Sequence, residues 1–463
     1  MKNTAWLGLG EAGGRFLRIV LIFYSARVMS VAEWGLSSYI LSWAVLFTIM
    51  TDIGLGSIVT RELVEDRERR ARYVSTFFFL KLFLIAVAAC AIVFLVPLIS
   101  ALPVSRSMAL SLSLLVLFDS MRIIASVVNK SRETMHLEAL MNIVTQAMIL
   151  GIGFAILRYM PSAEGLNIAY AIGSAIGTLC GFYIIRDHLP GIFTSFEHPL
   201  AVRLVKDALP IAIVGLMGSL MLNTDIIMLG WMRTAEEIAY YSAAQKIIFT
   251  LYVLPTLAAT SLFPSMVRLV KDAAGFKAIF EKSARNMLLA ALPITVGGLV
   301  LGPELMELFY GSAYLPASAP FAILLLTVPV VFAANIVNNA LIVQNRQGYF
   351  TAYAAIGFML NIMLNLAFIP FLGISGAALS TLITETAASA YIWVRLNRLN
   401  GFSLPRGLGK GCVSTGVMAL VAWAISALGA HVLVTITVSV GVYALALKIL
   451  KEPMLGELTG TPR

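Results

Sequence analysis

Nine stretches of this chain contain no Asp, Glu, Lys or Arg at all: residues 34–51, 82–105, 139–157, 165–185, 247–267, 286–303, 308–345, 347–384 and 411–447. Roughly 20 apolar helical residues cross a bilayer core. The shorter blocks are therefore one span each, and 411–447 is two, with Gly429, Ala430 and His431 as the turn. Unbroken apolar blocks disfavour a membrane β-barrel, whose strands alternate apolar and polar residues. Charged residues make up 12% of the chain, half the ~25% of soluble domains. That excludes a cytoplasmic enzyme, a disulfide-stapled secreted protein and a disordered chain.

Adding spans that tolerate a buried charge predicts fourteen helices, over 13–32, 35–57, 74–98, 106–128, 139–158, 165–186, 208–231, 240–264, 284–305, 319–344, 350–370, 374–395, 411–428 and 431–449. No connection is long enough for a separate domain. Lys and Arg are retained on the cytoplasmic side of a membrane. The even-numbered loops hold twenty of them: Arg61, Arg67, Arg69, Arg70, Arg72, Lys130, Arg132, Arg186, Arg203, Lys206, Arg268, Lys271, Lys277, Lys282, Arg285, Arg346, Arg395, Arg398, Arg406 and Lys410. The odd-numbered loops and their borders hold three, Arg106, Arg158 and Arg233. This bias predicts a multi-pass membrane protein with the even-numbered loops and both termini in the cytoplasm. A wrong helix count would have scrambled it.

The same asymmetry accounts for the net charge of +9. Nucleic acid is not an expected partner, because the densest basic cluster, Arg61 to Arg72, also carries Glu62, Glu65, Asp66 and Glu68. Glu11 and Arg15 interrupt the first apolar segment, which reads as a retained helix and not as a signal peptide. Cys90, Cys180 and Cys412 lie inside apolar helices without ligand spacing and are expected to be small core residues. His136, His188, His198 and His431 form no metal or catalytic motif. No metal, no cofactor and no enzymatic activity are expected. A membrane glycan polymerase needs a sizeable outward segment, and the longest candidate here is Glu304 to Leu315.

What calls for explanation is the set of ionisable residues inside spans, each costing about 2.5 to 3.5 kcal/mol at a helix centre. Arg15 and Arg18 share a face of the first helix with Glu11, and Arg27 lies nearer its outer end. The first two either snorkel to headgroups or face a cavity. Lys81 has no acid in its own helix and must find a partner elsewhere or face water, whereas Asp119 and Arg122 are spaced to neutralise one another. Asp225 and Lys246 lie at similar depth in neighbouring spans, as a structural pair or an ion-coupling site. Asp52 and Glu385 are further buried acids with the same two readings. The in-span cations Arg15, Arg18, Arg27, Lys81, Arg122 and Lys246 outnumber the acids Asp52, Asp119, Asp225 and Glu385, which suits an anionic substrate such as a pyrophosphate.

Asn335, Asn338, Asn339, Asn361 and Asn365 could line a sugar-accommodating cavity or hold helices together. Pro255, Pro293 and Pro329 are expected to interrupt spans. Met29, Ala32 and Glu33 recur at an offset of 203 as Met232, Ala235 and Glu236. With equal helix counts, this repeat predicts two pseudo-symmetric six-helix bundles, 1–200 and 201–400, around a central cavity. Two additional helices and a cytoplasmic tail occupy 401–463.

The run from Thr224 to Gln245 contains Asp225, Met228, Leu229, Gly230, Ala235, Glu236, Tyr240, Tyr241, Ser242, Ala243 and Ala244. It resembles the signature of the bacterial polysaccharide (O-antigen type) flippases of the multidrug/oligosaccharidyl-lipid/polysaccharide exporter superfamily. Phe263 and Pro264, Gly311 to Ala317 (GSAYLPA), and the LN..IP..G..GAA..T pattern carried by Asn365, Ile369, Pro370, Gly373, Gly376, Ala377, Ala378 and Thr381 extend the resemblance. The resemblance implies two rocking bundles with a cationic cavity, and translocation of an undecaprenyl-pyrophosphate-linked oligosaccharide from inner to outer leaflet by alternating access. Membrane lipids, H+ or Na+, and other polysaccharide assembly proteins are the implied partners. The six in-span cations are placed in that cavity on their position and not on a family motif. The alternatives are a multidrug or cation antiporter of the same superfamily, a flippase for the lipid-linked peptidoglycan precursor and, last, a glycan polymerase.

Overall fold

The computed structural model describes residues 2–65, 70–190, 192–403 and 408–452. Arg67, Arg69 and Arg406 of the basic loops, Asp66 and Glu68 beside them, and the tail 453–463 lie outside the described residues. Every regular element among the described residues is helical. Packing divides the chain into two compact units, Met1–Ala239 and Tyr240–Arg463.

The first unit runs through α1 (Lys2–Val28), α2 (Val31–Asp52), α3 (Leu55–Glu65), α4 (Arg70–Ile99), α5 (Arg106–Ser131), α6 (Met135–Tyr159), α7 (Ala163–Ile184) and α8 (His198–Met232), and ends in the first turn of α9 (Ala235–Leu251). The expected second span, 35–57, is cut at Asp52, because Ile53 and Gly54 take left-handed backbone conformations, with φ of 44° and 71°. Beyond the cut, α3 is a separate amphipathic helix. Its Leu55, Ile58, Val59, Glu62 and Leu63 fall on one stripe at three- and four-residue spacing and are buried, Leu63 with Tyr73, Val74 and Phe77 of α4 in the same core.

Small residues set how closely the spans approach. Gly173, Gly177 and Gly181 of α7 face Ile149, Thr145 and Met141 of α6 in antiparallel register. Without lateral hydrophobic drive in lipid, such close contact is what holds spans together. A Cβ at position 173 would lie 2.7 Å from the Ile149 Cα, which is backbone and cannot yield. Gly173→Val is therefore expected to cost about 1–3 kcal/mol or more by overpacking. Thermal unfolding of the purified protein measures this, and an unchanged Tm would contradict the seam. Gly35 of α2 meets the Ala235 carbonyl, and Gly230 of α8 meets the Tyr39 ring, in the same intimate way.

The second unit continues with α10 (Val253–Leu269), α11 (Ala273–Val300), α12 (Gly302–Tyr310), α13 (Ser318–Leu325), α14 (Thr327–Val343), α15 (Gly348–Asn400), α16 (Gly409–Ala427) and α17 (Val432–Ile449). Two of the three prolines mark true breaks. Pro255 follows the break between α9 and α10, and Pro329 the break between α13 and α14, each in the first turn of the new helix where a missing N–H does no harm. The breaks are stitched together by Tyr252 and Thr327, whose hydroxyl oxygens are 2.6 Å apart. Pro293, expected to interrupt its span, does not end the helix: α11 continues past it.

A straight helix of 53 residues would be about 80 Å long, yet the Tyr353 hydroxyl donates to Glu385 at 3.1 Å across α15. The helix is a hairpin. Gly373 makes the fold-back at φ 59° and ψ −136°, a conformation closed to residues with a Cβ. Gly376 beyond it packs against the backbone of Phe368. Twelve helical segments are long and apolar enough to cross a membrane. Because α15 supplies two spans, and α1 is the remaining one despite Glu11, Arg15, Arg18 and Arg27, the fourteen-helix architecture holds.

Loop parity holds too, within each unit. In the first, Arg203 donates to Glu62 at 3.1 Å and Arg72 pairs with Glu197 at 2.8 Å, joining the second and sixth loops. Burial, with the Arg132 and Arg70 guanidiniums nearby, holds His188 below the usual imidazole range, which brings the fourth loop to the same end. At the opposite end Glu33 accepts from the Ala163 N–H at 2.6 Å, first loop to fifth. In the second unit Glu281 accepts from the Ser403 N–H and Arg285 pairs with Glu452, whereas Glu304 accepts from Ser426 at the other end.

Candidate functional site

Two groups of charged residues are held inside the first unit. Lys81, expected to line a cavity, is fully buried, with its ammonium 2.8 Å from the Asp52 carboxylate and 5.7 Å from the centre of the Phe77 ring. The left-handed turn after α2 presents Asp52 to α4, and Gly56 in the next turn leaves room for the carboxylate, since a Cβ there would lie 3.3 Å from its oxygen. Lys81 thus has the partner that its own helix lacks.

The other group is spread over four helices. The Arg122 guanidinium of α5 donates to Asn142 of α6 at 2.9 Å and to Asp119 at 3.4 Å, so the expected Asp119–Arg122 pair forms. Ser174 of α7 donates to the same Asp119 at 2.8 Å and fixes it. Arg18 of α1 donates through its Nε to Gln146 of α6 at 3.5 Å. Tyr170 of α7 sits within electrostatic reach of both Arg18 and Asp119. Asn142 and Gln146 are four residues apart, which puts them on one face of α6 about 6 Å from each other. Two arginines from different helices are therefore hung on consecutive turns of a third, with one carboxylate beside Arg122. Arg18 is exposed, Arg122 is 21% exposed, and the remaining N–H groups of Arg18 make no hydrogen bond among the described residues.

Arg15 is exposed and pairs with Glu11 at 3.0 Å, one turn away on the same helix. Arg27 is exposed in the last turn of α1. Asp225 is buried in α8 of the first unit, and Lys246 is half-buried in α9 within the second. Glu385 is buried where Tyr353 reaches it.

Sequence reasoning missed Asn142, Gln146 and Ser174. The signal was there: two amides four residues apart inside an apolar span have no apolar reason to be present. Of the two roles expected for the other amides, lining a sugar cavity or holding helices together, the bonds found are of the second kind. Asn339 donates to the Ala259 carbonyl at 2.7 Å, Asn335 accepts from Thr256 at 3.4 Å, and Asn365 donates to Asn361 at 3.0 Å. The cysteines also depart from expectation. Cys90 and Cys412 are exposed on their helices, because in lipid an outward-facing thiol is as well solvated as a core one.

The signature motifs converge in the second unit. The Tyr310 hydroxyl donates to the Ala243 carbonyl at 3.1 Å, the Tyr314 ring packs edge-on to Tyr240, and Gly311 turns at φ 97°. Tyr241 and Thr381 hydroxyls lie 3.5 Å apart, joining the LN..IP..G..GAA..T pattern to the Thr224–Gln245 run. These residues build part of the unit's frame.

Residues 1–270 match the family described as polysaccharide biosynthesis protein. Among curated relatives, a putative O-antigen transporter of Shigella flexneri is 22% identical over 68% of this chain and 77% of its own length. A probable low-salt glycan biosynthesis flippase, Agl15 of Haloferax volcanii, is 22% identical over 83% of this chain and 80% of its own. Among solved structures, the lipid II flippase MurJ in an inward closed conformation superposes with a TM-score of 0.74 at 16% identity, covering 96% of this chain and 99% of that one. An inward-facing multidrug resistance MATE transporter of the MOP superfamily gives 0.68 at 13% identity, over 84% and 96%. The chain belongs to the polysaccharide biosynthesis protein family, and it is a many-spanning membrane protein whose described regular elements are all helical.

Proposed function

We propose that the chain flips an undecaprenyl-pyrophosphate-linked oligosaccharide from the inner to the outer leaflet of a bacterial or archaeal cytoplasmic membrane. The observation that carries this reading is the pair Arg18 and Arg122, anchored one turn apart on Gln146 and Asn142, with the carboxylate Asp119 beside Arg122. Guanidinium forks grip phosphate oxygens bidentately, and two of them at that spacing match a diphosphate better than one. An exporter of organic cations would want unanswered carboxylates, whereas Asp52 and Asp119 each already have a cation beside them. The names of the O-antigen and glycan-flippase relatives point the same way.

In this reading the bundles 1–200 and 201–400 rock about a central cavity with both termini cytoplasmic, and 401–463 accompanies the second. Arg15, Arg27 and Lys246 line the rest of the route, and Lys81 is left to Asp52. Coupling to an H+ or Na+ gradient is assigned to the buried carboxylates Glu385 and Asp225. Polysaccharide assembly proteins are the partners that supply and consume the substrate.

The experiment is the leaflet distribution of lipid-linked oligosaccharide in host membranes after depletion of the protein, read with a glycan-specific, membrane-impermeant probe. Accumulation facing the cytoplasm supports the reading; normal appearance outside sinks it. Repeating the assay with Glu385→Gln under an imposed proton gradient tests coupling, since that variant is expected to lose the response to the gradient.

A further inference from the structure

One face of the second arm of α15 is left out of the packing. Its buried stripe, Ala388, Ile392 and Leu396, turns inward, with Trp393 against the Phe280 ring of α11 at 5.8 Å. Beside that stripe Ala387, Ala390, Tyr391, Val394, Arg395 and Arg398 line a recess of about 340 Å³. Their spacing of three and four residues puts them on one side of the helix. The recess is graded: alanines and a valine on the membrane side, two arginines at the helix end. Arg395 lies 5.3 Å over the Tyr391 ring and 5.9 Å over the Tyr349 ring. Stacking of this kind fixes the guanidinium plane and leaves its N–H edge free for an anion. Among the described residues neither Arg395 nor Arg398 pairs with a carboxylate, unlike Arg285, Arg203 or Arg72 at other helix ends.

We infer that this recess is a binding site for an anionic phospholipid, its phosphate on Arg395 and Arg398 and an acyl chain along Ala387, Ala390 and Val394. The charge fits, and so does the polarity gradient, since lipid phosphates stand at the level where a span ends and chains run down its apolar side. A soluble anion would have no use for the apolar half of the recess. Each basic residue close to an anionic leaflet is worth roughly a fivefold gain in binding, so two give about 25-fold over a zwitterionic lipid. The site does not depend on what the protein transports.

The test uses the full chain purified in detergent, with phosphatidylglycerol and phosphatidylcholine added in equal amounts and retained lipid counted by native mass spectrometry. The wild type is expected to hold one phosphatidylglycerol with about 25-fold preference, and Arg395→Gln with Arg398→Gln to lose that molecule. Both arginines are exposed, so folding is expected to survive. Ala390→Trp, which fills the recess and keeps the charges, is expected to lose it too. Equal retention of both lipids, or unchanged retention in both variants, would overturn the site. Displacement of the bound lipid by inorganic phosphate would show a site for free anions instead. Preferential capture of a polyprenyl phosphate would reassign the recess to the transported lipid.

Discussion

Replacing Arg18 and Arg122 together with glutamine leaves a folded, membrane-inserted protein that no longer moves lipid-linked oligosaccharide to the outer leaflet. Hydrogen bonds to charged groups contribute about 1.5–3 kcal/mol each, so each lost guanidinium weakens the diphosphate grip by roughly 10- to 100-fold. Folding is expected to survive because both side chains are partly exposed and their anchors, Gln146 and Asn142, are neutral amides that water or each other can satisfy. Asp119 keeps its bond from Ser174. Arginine to lysine at both sites keeps the charge but not the planar fork, and is expected to restore transport only in part. The measurement is outer-leaflet glycan against protein level in the membrane. Full transport by the double glutamine variant would remove the pair from the mechanism.

The second large effect is on stability. Lys81→Met strands the Asp52 carboxylate, and removing one partner of a buried pair costs about 3–5 kcal/mol. Asp52 keeps a side-chain exposure of 24%, which places the loss toward the lower value. The double change Lys81→Met with Asp52→Leu removes both charges and is expected to recover most of that stability. Thermal unfolding of wild type, Lys81→Met and the double variant measures the coupling. If the double variant is stable and still flips its substrate, Lys81 is a strut between α2 and α4. A stable double variant without transport would return Lys81 to the cation set of the route.

Several features are legible in the chain alone. The apolar blocks and the alternation of basic loops fix fourteen spans and loop parity, because a bilayer imposes length and charge rules on each segment separately. Even the hairpin in α15 is visible, since a span of that length with Pro370 and Gly373 at its middle must fold back. The internal repeat reads one residue out of register. Its identities align at an offset of 203, but the helix caps align at 204: Ser30 accepts from the Glu33 N–H, and Thr234 accepts from the Glu237 N–H. Cap chemistry, not side-chain identity, starts a helix at a given residue.

Other features only the tertiary structure could decide. A helix sequence gives depth and face but not rotation, and within lipid both an outward and an inward face are apolar, so periodicity does not orient a span. That is why Cys90, expected in the core, is exposed. It is also why Lys81, expected in a cavity, is paired with Asp52, while Arg18 and Arg122, more than a hundred residues apart, stand on neighbouring turns of α6. The sequence by itself determined how many times the chain crosses the membrane and which loops share a side. Which charges meet was decided by helix packing, as where close contacts through Gly173, Gly177 and Gly181 set the rotation of α7 against α6, the helix on which Arg18 and Arg122 are anchored.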